Sequence, residues 1–90
     1  MLKLYKFYWD CGRMGEVESL FVADEDYVKS LMGKEVYFGE ILGKHSEIYG
    51  TFSEDDLQVL SDDQNFVNKV VEVFGDNLPI GHCPLSYLAE

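Results

Sequence analysis

Residues 34–52 constrain the fold most, because they contain two runs in which apolar and polar residues alternate. Val36 and Phe38 fall on one face of the first run, and Ile48 and Phe52 fall on one face of the second. Side chains alternate between the two faces of a β-strand, so each run is predicted to be a strand with one buried face. A short polar segment containing glycine separates the runs, which is typical of a hairpin turn. The segment therefore predicts a β-hairpin on which the other elements pack.

The residues before this hairpin predict a further hairpin and a helix. Residues 2–9 and 17–23 are rich in aromatic and β-branched side chains, and a loop with two glycines joins them. This pattern favours two paired strands. Asp24 is positioned to accept hydrogen bonds from the free N–H groups of a following helix, in which apolar residues recur at helical spacing until Gly33.

The residues after the hairpin predict a short edge strand over 57–60 and a longer helix. Ser61 and Gln64 have the spacing of a capping box, so the helix is predicted to run from there to Phe74, with Gly75 ending it. We expect this helix to bury one apolar face. That face would consist of Phe66, Val67, Val70, Val71 and Phe74.

The predicted element order is ββαββ(β)α, within a single acidic domain spanning residues 1–90. This order favours an α+β fold with an antiparallel sheet of four to five strands, formed by two hairpins, and two helices packed on one face. The hydrophobic fraction of 47% is sufficient for one core and argues against disorder.

Acidic residues outnumber basic ones by 17 to 7, which gives a net charge of −10. Binding to nucleic acid or to an anionic membrane requires a basic surface, so the charge argues against both kinds of direct contact. The imbalance is uneven, because residues 1–52 carry −3 whereas residues 53–90 carry −7 and contain one base, Lys69. A basic protein partner is therefore the favoured binding class.

Neither catalysis nor cofactor binding is indicated by a motif. The Cys and His residues Cys11, His45, His82 and Cys83 come from distant segments and lack the close pairs that zinc ligands usually form. We therefore predict no enzyme activity, no metal and no cofactor. Two cysteines are too few for a disulfide framework, and no signal peptide or membrane-spanning run is recognisable, so a cytoplasmic location is expected.

The first functional hypothesis is a small, non-enzymatic binding protein that docks its acidic C-terminal half on a basic surface of a partner protein. An inhibitor or decoy, such as a phage-type blocker of a host nucleic-acid enzyme, would have this charge distribution, because carboxylates can imitate a phosphate backbone. The predicted partner-binding residues are Glu54, Asp55, Asp56, Asp62, Asp63, Glu72 and Asp76.

The alternative hypothesis is a domain that binds a nucleotide or another small anion through two loops. Glycine-containing loops can present backbone N–H groups to an anion, and nearby cationic side chains would add to the attraction. The predicted ligand-binding residues are Gly12, Arg13, Gly15, Lys44, His45 and Ser46.

A homodimer is a further expectation, because thirteen aromatic side chains in a short chain favour an exposed aromatic face. The candidate residues for that face are Tyr5, Tyr8, Trp9, Tyr37 and Tyr49.

Overall fold

The structure is a computed structural model that describes residues 1–42 and 47–88. These residues form six β-strands and two α-helices. The α+β class and the predicted order of elements are confirmed, and a short last strand is added. The elements are β1 (Leu2–Asp10), β2 (Glu16–Asp24), α1 (Glu25–Ser30), β3 (Glu35–Gly39), β4 (Ile48–Thr51), β5 (Leu57–Ser61), α2 (Gln64–Phe74) and β6 (Ile80–Gly81).

The main sheet is antiparallel and has the strand order β5-β1-β2-β6. Its centre is the β1–β2 hairpin, in which Leu2 pairs with Asp24 at one end and Asp10 pairs with Glu16 at the other. Both strands carry apolar residues on both faces, and a continuous register of nine residue pairs fixes which side chains share a face. β5 and β6 are the two edge strands.

The hairpin predicted over residues 34–52 forms, but β3 and β4 make a separate two-stranded sheet. The predicted faces are confirmed, because Val36, Phe38, Ile48 and Phe52 are all buried. Their position in the fold differs from the expectation of one continuous sheet. The β3–β4 hairpin covers the main sheet instead of extending it, since its apolar face is needed to close the core.

The main core lies between one face of the β1–β2 hairpin and a layer formed by α1, β3 and β4. Phe7 and Val17 of the main sheet are completely buried in it. Aromatic rings dominate the centre, where the centroid of Phe7 lies 6.1 Å from that of Phe38 and 6.3 Å from that of Phe52. The other buried members are Tyr5, Phe21, Val28, Leu31, Val36, Ile48 and Cys83.

Helix α2 lies against β1 on the other face of the main sheet. Leu4 points away from Tyr5 because neighbouring side chains in a strand alternate. Leu4 and Val67 are both buried, and both lie outside the main core. The Gln64 side-chain amide donates a 2.7 Å hydrogen bond to the Leu2 carbonyl at this contact. The helices thus pack on opposite faces, which differs from the expected packing on one face.

Both α-helices begin at an aspartate. Asp24 caps α1 as predicted, with Oδ1 accepting hydrogen bonds from the N–H groups of Asp26 and Tyr27. For α2 the predicted cap was wrong: Ser61 ends β5, and Asp63 accepts the corresponding bonds two residues later. Of the helices in the described residues, none is long and apolar enough to cross a membrane.

The predicted buried face of α2 was also wrong at most of its positions. Val67 is buried, but Phe66, Val71 and Phe74 keep 50%, 41% and 40% of their surface exposed, and Val70 is half-buried. The helical spacing correctly showed that these side chains share a side of the helix. Spacing does not show whether another element covers that side, and here the sheet supports α2 mainly at Val67.

Candidate interaction surface

The acidic residues predicted to bind a partner lie at the ends of β5 and α2. One acidic group, Glu54–Asp56, forms a 3₁₀ turn before β5, and a second, Asp62 and Asp63, connects β5 to α2. The third consists of Glu72 in the last turn of α2 and Asp76 in the 3₁₀ turn that follows. A strand of this length spans about 17 Å. A helix of this length spans about 16 Å. The acidic groups therefore bracket one edge strand and one helix.

Local hydrogen bonding explains only part of this arrangement. Asp63 caps α2, and the Ser53 hydroxyl accepts a bond from the Asp55 N–H in the turn before β5. Glu72 and Asp76 have no such explanation, because the C-terminal end of a helix carries partial negative charge and disfavours nearby carboxylates. α2 has no basic residue in its last turn to offset them.

The ion pairs of the described residues all lie in the first half of the chain. The Met1 amino group pairs with Asp24 at 2.9 Å, and Lys3 and Lys29 each contact Glu25 at 2.8 Å. Hydrogen bonds from Lys29, and then from Lys3, lower the pKa of Glu25 to about 2. Within residues 1–42 and 47–88, no ion pair neutralises any of the seven acids proposed as partner-binding, and all but the half-buried Asp56 are exposed.

Large apolar side chains lie between the acidic groups, a feature that the sequence reasoning missed. Val59 and Leu60 of β5 are 47% and 42% exposed, and Val73 of α2 is 66% exposed. Leu60 lies on the same face of the main sheet as α2, where Phe66, Val71, Val73 and Phe74 are exposed. Val59 lies on the opposite face, beside Val28 and Lys29 of α1. The sequence contains a signal for this exposure. Val73 widens the apolar side of α2 so far that a single strand cannot cover all of it.

The residues of the alternative ligand site are only partly described. In the loop between β1 and β2, Gly12 donates its N–H to the Asp10 carboxylate at 2.8 Å, and Gly15 donates to the Gly12 carbonyl at 3.1 Å. Arg13 is exposed in the same loop. Two of the N–H groups expected to face an anion therefore already have acceptors within the loop. The other predicted members, Lys44, His45 and Ser46, lie outside the described residues.

The two thiols are free, and they differ in exposure. Cys83 is buried and Cys11 is half-buried, and burial raises the pKa of each thiol, which favours its neutral form. The His82 ring approaches Tyr87 edge-on, at a centroid distance of 6.3 Å. Within the described ranges, no three Cys, His, Asp or Glu side chains converge as a metal site, and His45 lies outside those ranges.

The aromatic residues named for a homodimer do not share one face. Tyr5 is buried in the core, whereas Tyr8 is 38% exposed on the main sheet. Tyr37 and Tyr49 are exposed side by side on the β3–β4 sheet, with their rings stacked at a centroid distance of 6.3 Å.

The chain matches no protein-family model, and no curated protein or solved structure is significantly similar to it. A functional conclusion therefore depends on the geometry and charge of this surface.

Proposed function

We propose that the protein is a non-enzymatic binding protein that docks its acidic C-terminal half on a basic surface of a partner protein. The observation that carries this proposal is the set of exposed carboxylates at the ends of β5 and α2, none of which is neutralised by an ion pair within the described residues. Unpaired carboxylates retain their charge and remain available for a cationic partner.

Charge of this kind acts mainly on the rate and the selectivity of association. A net charge of −10 attracts a basic surface over distances comparable with the Debye length, about 10 Å at 0.1 M salt. An inhibitor or decoy that occupies the basic groove of a nucleic-acid enzyme, as a phage-type blocker does, fits this chemistry. The two free cysteines fit a reducing compartment, so we place this activity in the cytoplasm.

The test compares two variants that have the same net charge. The first neutralises six exposed acids of the C-terminal half: Glu54→Gln, Asp55→Asn, Asp62→Asn, Asp63→Asn, Glu72→Gln and Asp76→Asn. The second neutralises six exposed acids elsewhere: Glu16→Gln, Glu18→Gln, Asp26→Asn, Glu35→Gln, Glu40→Gln and Glu47→Gln. Asn at position 63 preserves the helix cap, since Asn and Asp cap equally well.

Wild type and both variants are immobilised, and the proteins captured from a cell lysate are quantified by mass spectrometry at low and high salt. We expect salt-sensitive partners that the first variant loses and the second variant keeps. Equal loss with both variants would show that net charge alone matters, and unchanged capture by both would remove the electrostatic mechanism.

Binding of a nucleotide or another small anion by two loops, one with Gly12, Arg13 and Gly15 and one with Lys44, His45 and Ser46, is the second proposal. It is supported by the exposed Arg13 in an acidic protein. It has less support because two loop N–H groups already donate within the loop. Thermal-shift measurements with nucleotides and simple anions test it. A rise in melting temperature that Arg13→Ala and His45→Ala abolish would favour this function over protein docking.

A further inference from the structure

The apolar stripe of α2 is the least supported feature of the fold. We define it as Phe66, Val67, Val70, Val71, Val73 and Phe74. At 100° per residue these six side chains occupy about 160° of the helix circumference. Only Val67 is buried, and Val73 and Phe66 keep 66% and 50% of their surface exposed. An eleven-residue helix depends on packing for its stability, so a stripe of this width indicates a contact beyond the one with β1.

A second copy of the chain is a poor occupant for this stripe. Two α2 helices packed stripe to stripe would bring the acids at positions 62, 63 and 76 of one copy close to those of the other, and each copy carries −10. Stable interfaces bury about 1,200–2,000 Å² in total. A helix about 16 Å long supplies too little area to offset that repulsion.

Charge complementarity points to a different occupant. Exposed carboxylates stand at both ends of the helix, with Asp62 and Asp63 before it and Asp76 after it. Glu72 lies on the opposite side of the helix from the stripe. The matching surface is apolar along its centre and carries Lys or Arg at its rims. Within the stripe, Phe66, Val70, Val73 and Phe74 have the spacing i, i+4, i+7 and i+8, which is how an amphipathic helix places its anchors in an apolar groove.

We propose that the α2 stripe is the anchor of the partner contact, inserted between helices of a partner protein whose apolar groove is rimmed by Lys and Arg. This inference rests on the proposed function. It adds that apolar burial stabilises the contact, while the carboxylates select and orient the partner. Aromatic side chains at the centre of an interface commonly dominate its affinity, so Phe66 and Phe74 are the expected hot spots.

The neighbouring surface of the main sheet can enlarge this contact. An open groove of about 640 Å³ lies on that sheet, with Leu20, Leu60 and Ile80 among its lining residues. The groove also includes Lys6, two positions along β1 from Leu4 and therefore on the face that α2 covers. A partner seated on α2 would reach this groove by extending along the strands.

Three synthetic helical peptides serve as probes of the stripe. The first has leucine on one side and lysine on the other, so it presents an apolar stripe with basic rims. The second keeps the leucines and replaces lysine with glutamate, and the third keeps the lysines and replaces leucine with serine. Fluorescence anisotropy gives the affinities, and amide chemical-shift changes show whether α2 is the element contacted.

Two variants of the full chain complete the design. Phe66→Ser combined with Phe74→Ser removes the proposed hot spots, and Val73→Ser is a milder change at the most exposed stripe position. The matched control is Tyr37→Ser combined with Tyr49→Ser, which removes two exposed aromatic side chains from the β3–β4 sheet. Circular dichroism verifies that each variant is folded.

We expect the leucine–lysine peptide to bind with shifts centred on α2, and the double Phe variant to weaken this binding by roughly tenfold or more. The tyrosine control should leave it unchanged, and Val73→Ser should give an intermediate loss.

Equal binding of the two lysine peptides, with no effect of the Phe changes, would overturn the apolar anchor and leave acidic docking standing. Equal binding of the two leucine peptides would instead overturn the proposed electrostatic function. Dimerisation that the Phe changes abolish would overturn the inference in favour of a second copy.

Discussion

Glu25 shows how the few cations of this chain are used. Of its seven basic residues, Lys3 and Lys29 both contact this single carboxylate, and the lysine at position 29 lies one helical turn after it. The consequence extends to the rest of the molecule, because a lysine paired in the first half is not available to neutralise acids in the second half.

Replacing Glu25 with Gln should remove a pH-dependent part of the stability. The pKa of Glu25 falls from an ordinary 4.5 to about 2 in the folded protein. The unfolded chain therefore binds more protons between these values, and the Glu25 contribution is complete above about pH 4.5 and lost as pH falls through about 2. Melting temperatures of wild type and Glu25→Gln should differ at pH 6 and converge near pH 2.

Lys29→Met is the matched control for that measurement, because hydrogen bonding to Lys29 is the largest cause of the pKa shift. It should shrink the pH-dependent difference without abolishing it, since Lys3 remains. A difference between wild type and Glu25→Gln that is constant from pH 6 to pH 2 would show that the ion pairs add nothing to folding.

Gly81 allows β6 to approach β2 more closely than any other residue would. It has φ of +77°, and an added Cβ would lie 2.4 Å from the Glu18 carbonyl oxygen. Gly81→Ala should therefore cost more than Gly75→Ala, which also has positive φ but places its Cβ in open space. We expect the difference in unfolding free energy to be about 1–3 kcal/mol, as for overpacked sites. Urea denaturation measures it, and equal costs would show that β6 detaches easily.

At the scale of elements, local sequence signals proved more informative than expectations about packing. The composition of β1, the alternation in β3 and the helical spacing in α2 identified each element because these signals depend only on nearby residues. Asp63 displaced Ser61 as the cap because β5 runs to position 61, an extension that depends on pairing with distant β1. The free side of α2 was missed for the same reason, since its coverage depends on where the sheet ends.

Two valine substitutions in α2 distinguish a supported helix from a fully buried one. Val67 is completely buried, so Val67→Ala should destabilise the fold by roughly 1.5–3 kcal/mol through lost apolar burial and a residual cavity. Val73→Ala should change stability by less than about 0.5 kcal/mol, because Val73 is 66% exposed. Chemical denaturation compares them under identical conditions. Similar losses at both positions would mean that the stripe is buried in solution, and the proposed anchor would then be lost.

At the scale of the whole molecule, the charge imbalance could be predicted from the sequence but its arrangement could not. Counting residues located the excess of acids in the second half. It did not reveal that the acids bracket β5 and α2, nor that Leu60, Phe66 and Val73 are exposed between them, because both facts depend on the crossing of α2 over the main sheet. The alternative ligand site requires the loop at residues 12–15 to lie near the loop at residues 43–46. Contacts between such distant segments cannot be predicted from a local sequence pattern.

The overall charge should make this protein more stable when salt is added. The molecule measures 42 × 25 × 21 Å. The Debye length is about 30 Å at 0.01 M salt and about 10 Å at 0.1 M. At low salt every carboxylate therefore repels most of the others, whereas at 0.1 M only close neighbours interact. Screening also weakens the three ion pairs at Asp24 and Glu25, which opposes this effect in part. We expect the melting temperature to rise by several degrees between these conditions, since about 1 kcal/mol corresponds to roughly 4–8 °C in a domain of this size.

The variant with six neutralised acids in its C-terminal half separates this repulsion from other effects of salt. It carries −4 instead of −10, so its melting temperature should start higher at low salt and respond less to added sodium chloride. The variant with six neutralised acids elsewhere should respond more strongly than this one if the unpaired C-terminal carboxylates are the main source of repulsion. A wild-type melting temperature that falls with salt would mean that the ion pairs of the first half dominate, and that the carboxylates around β5 and α2 are already compensated within the fold. A surface compensated in that way would have no excess potential with which to attract a basic partner.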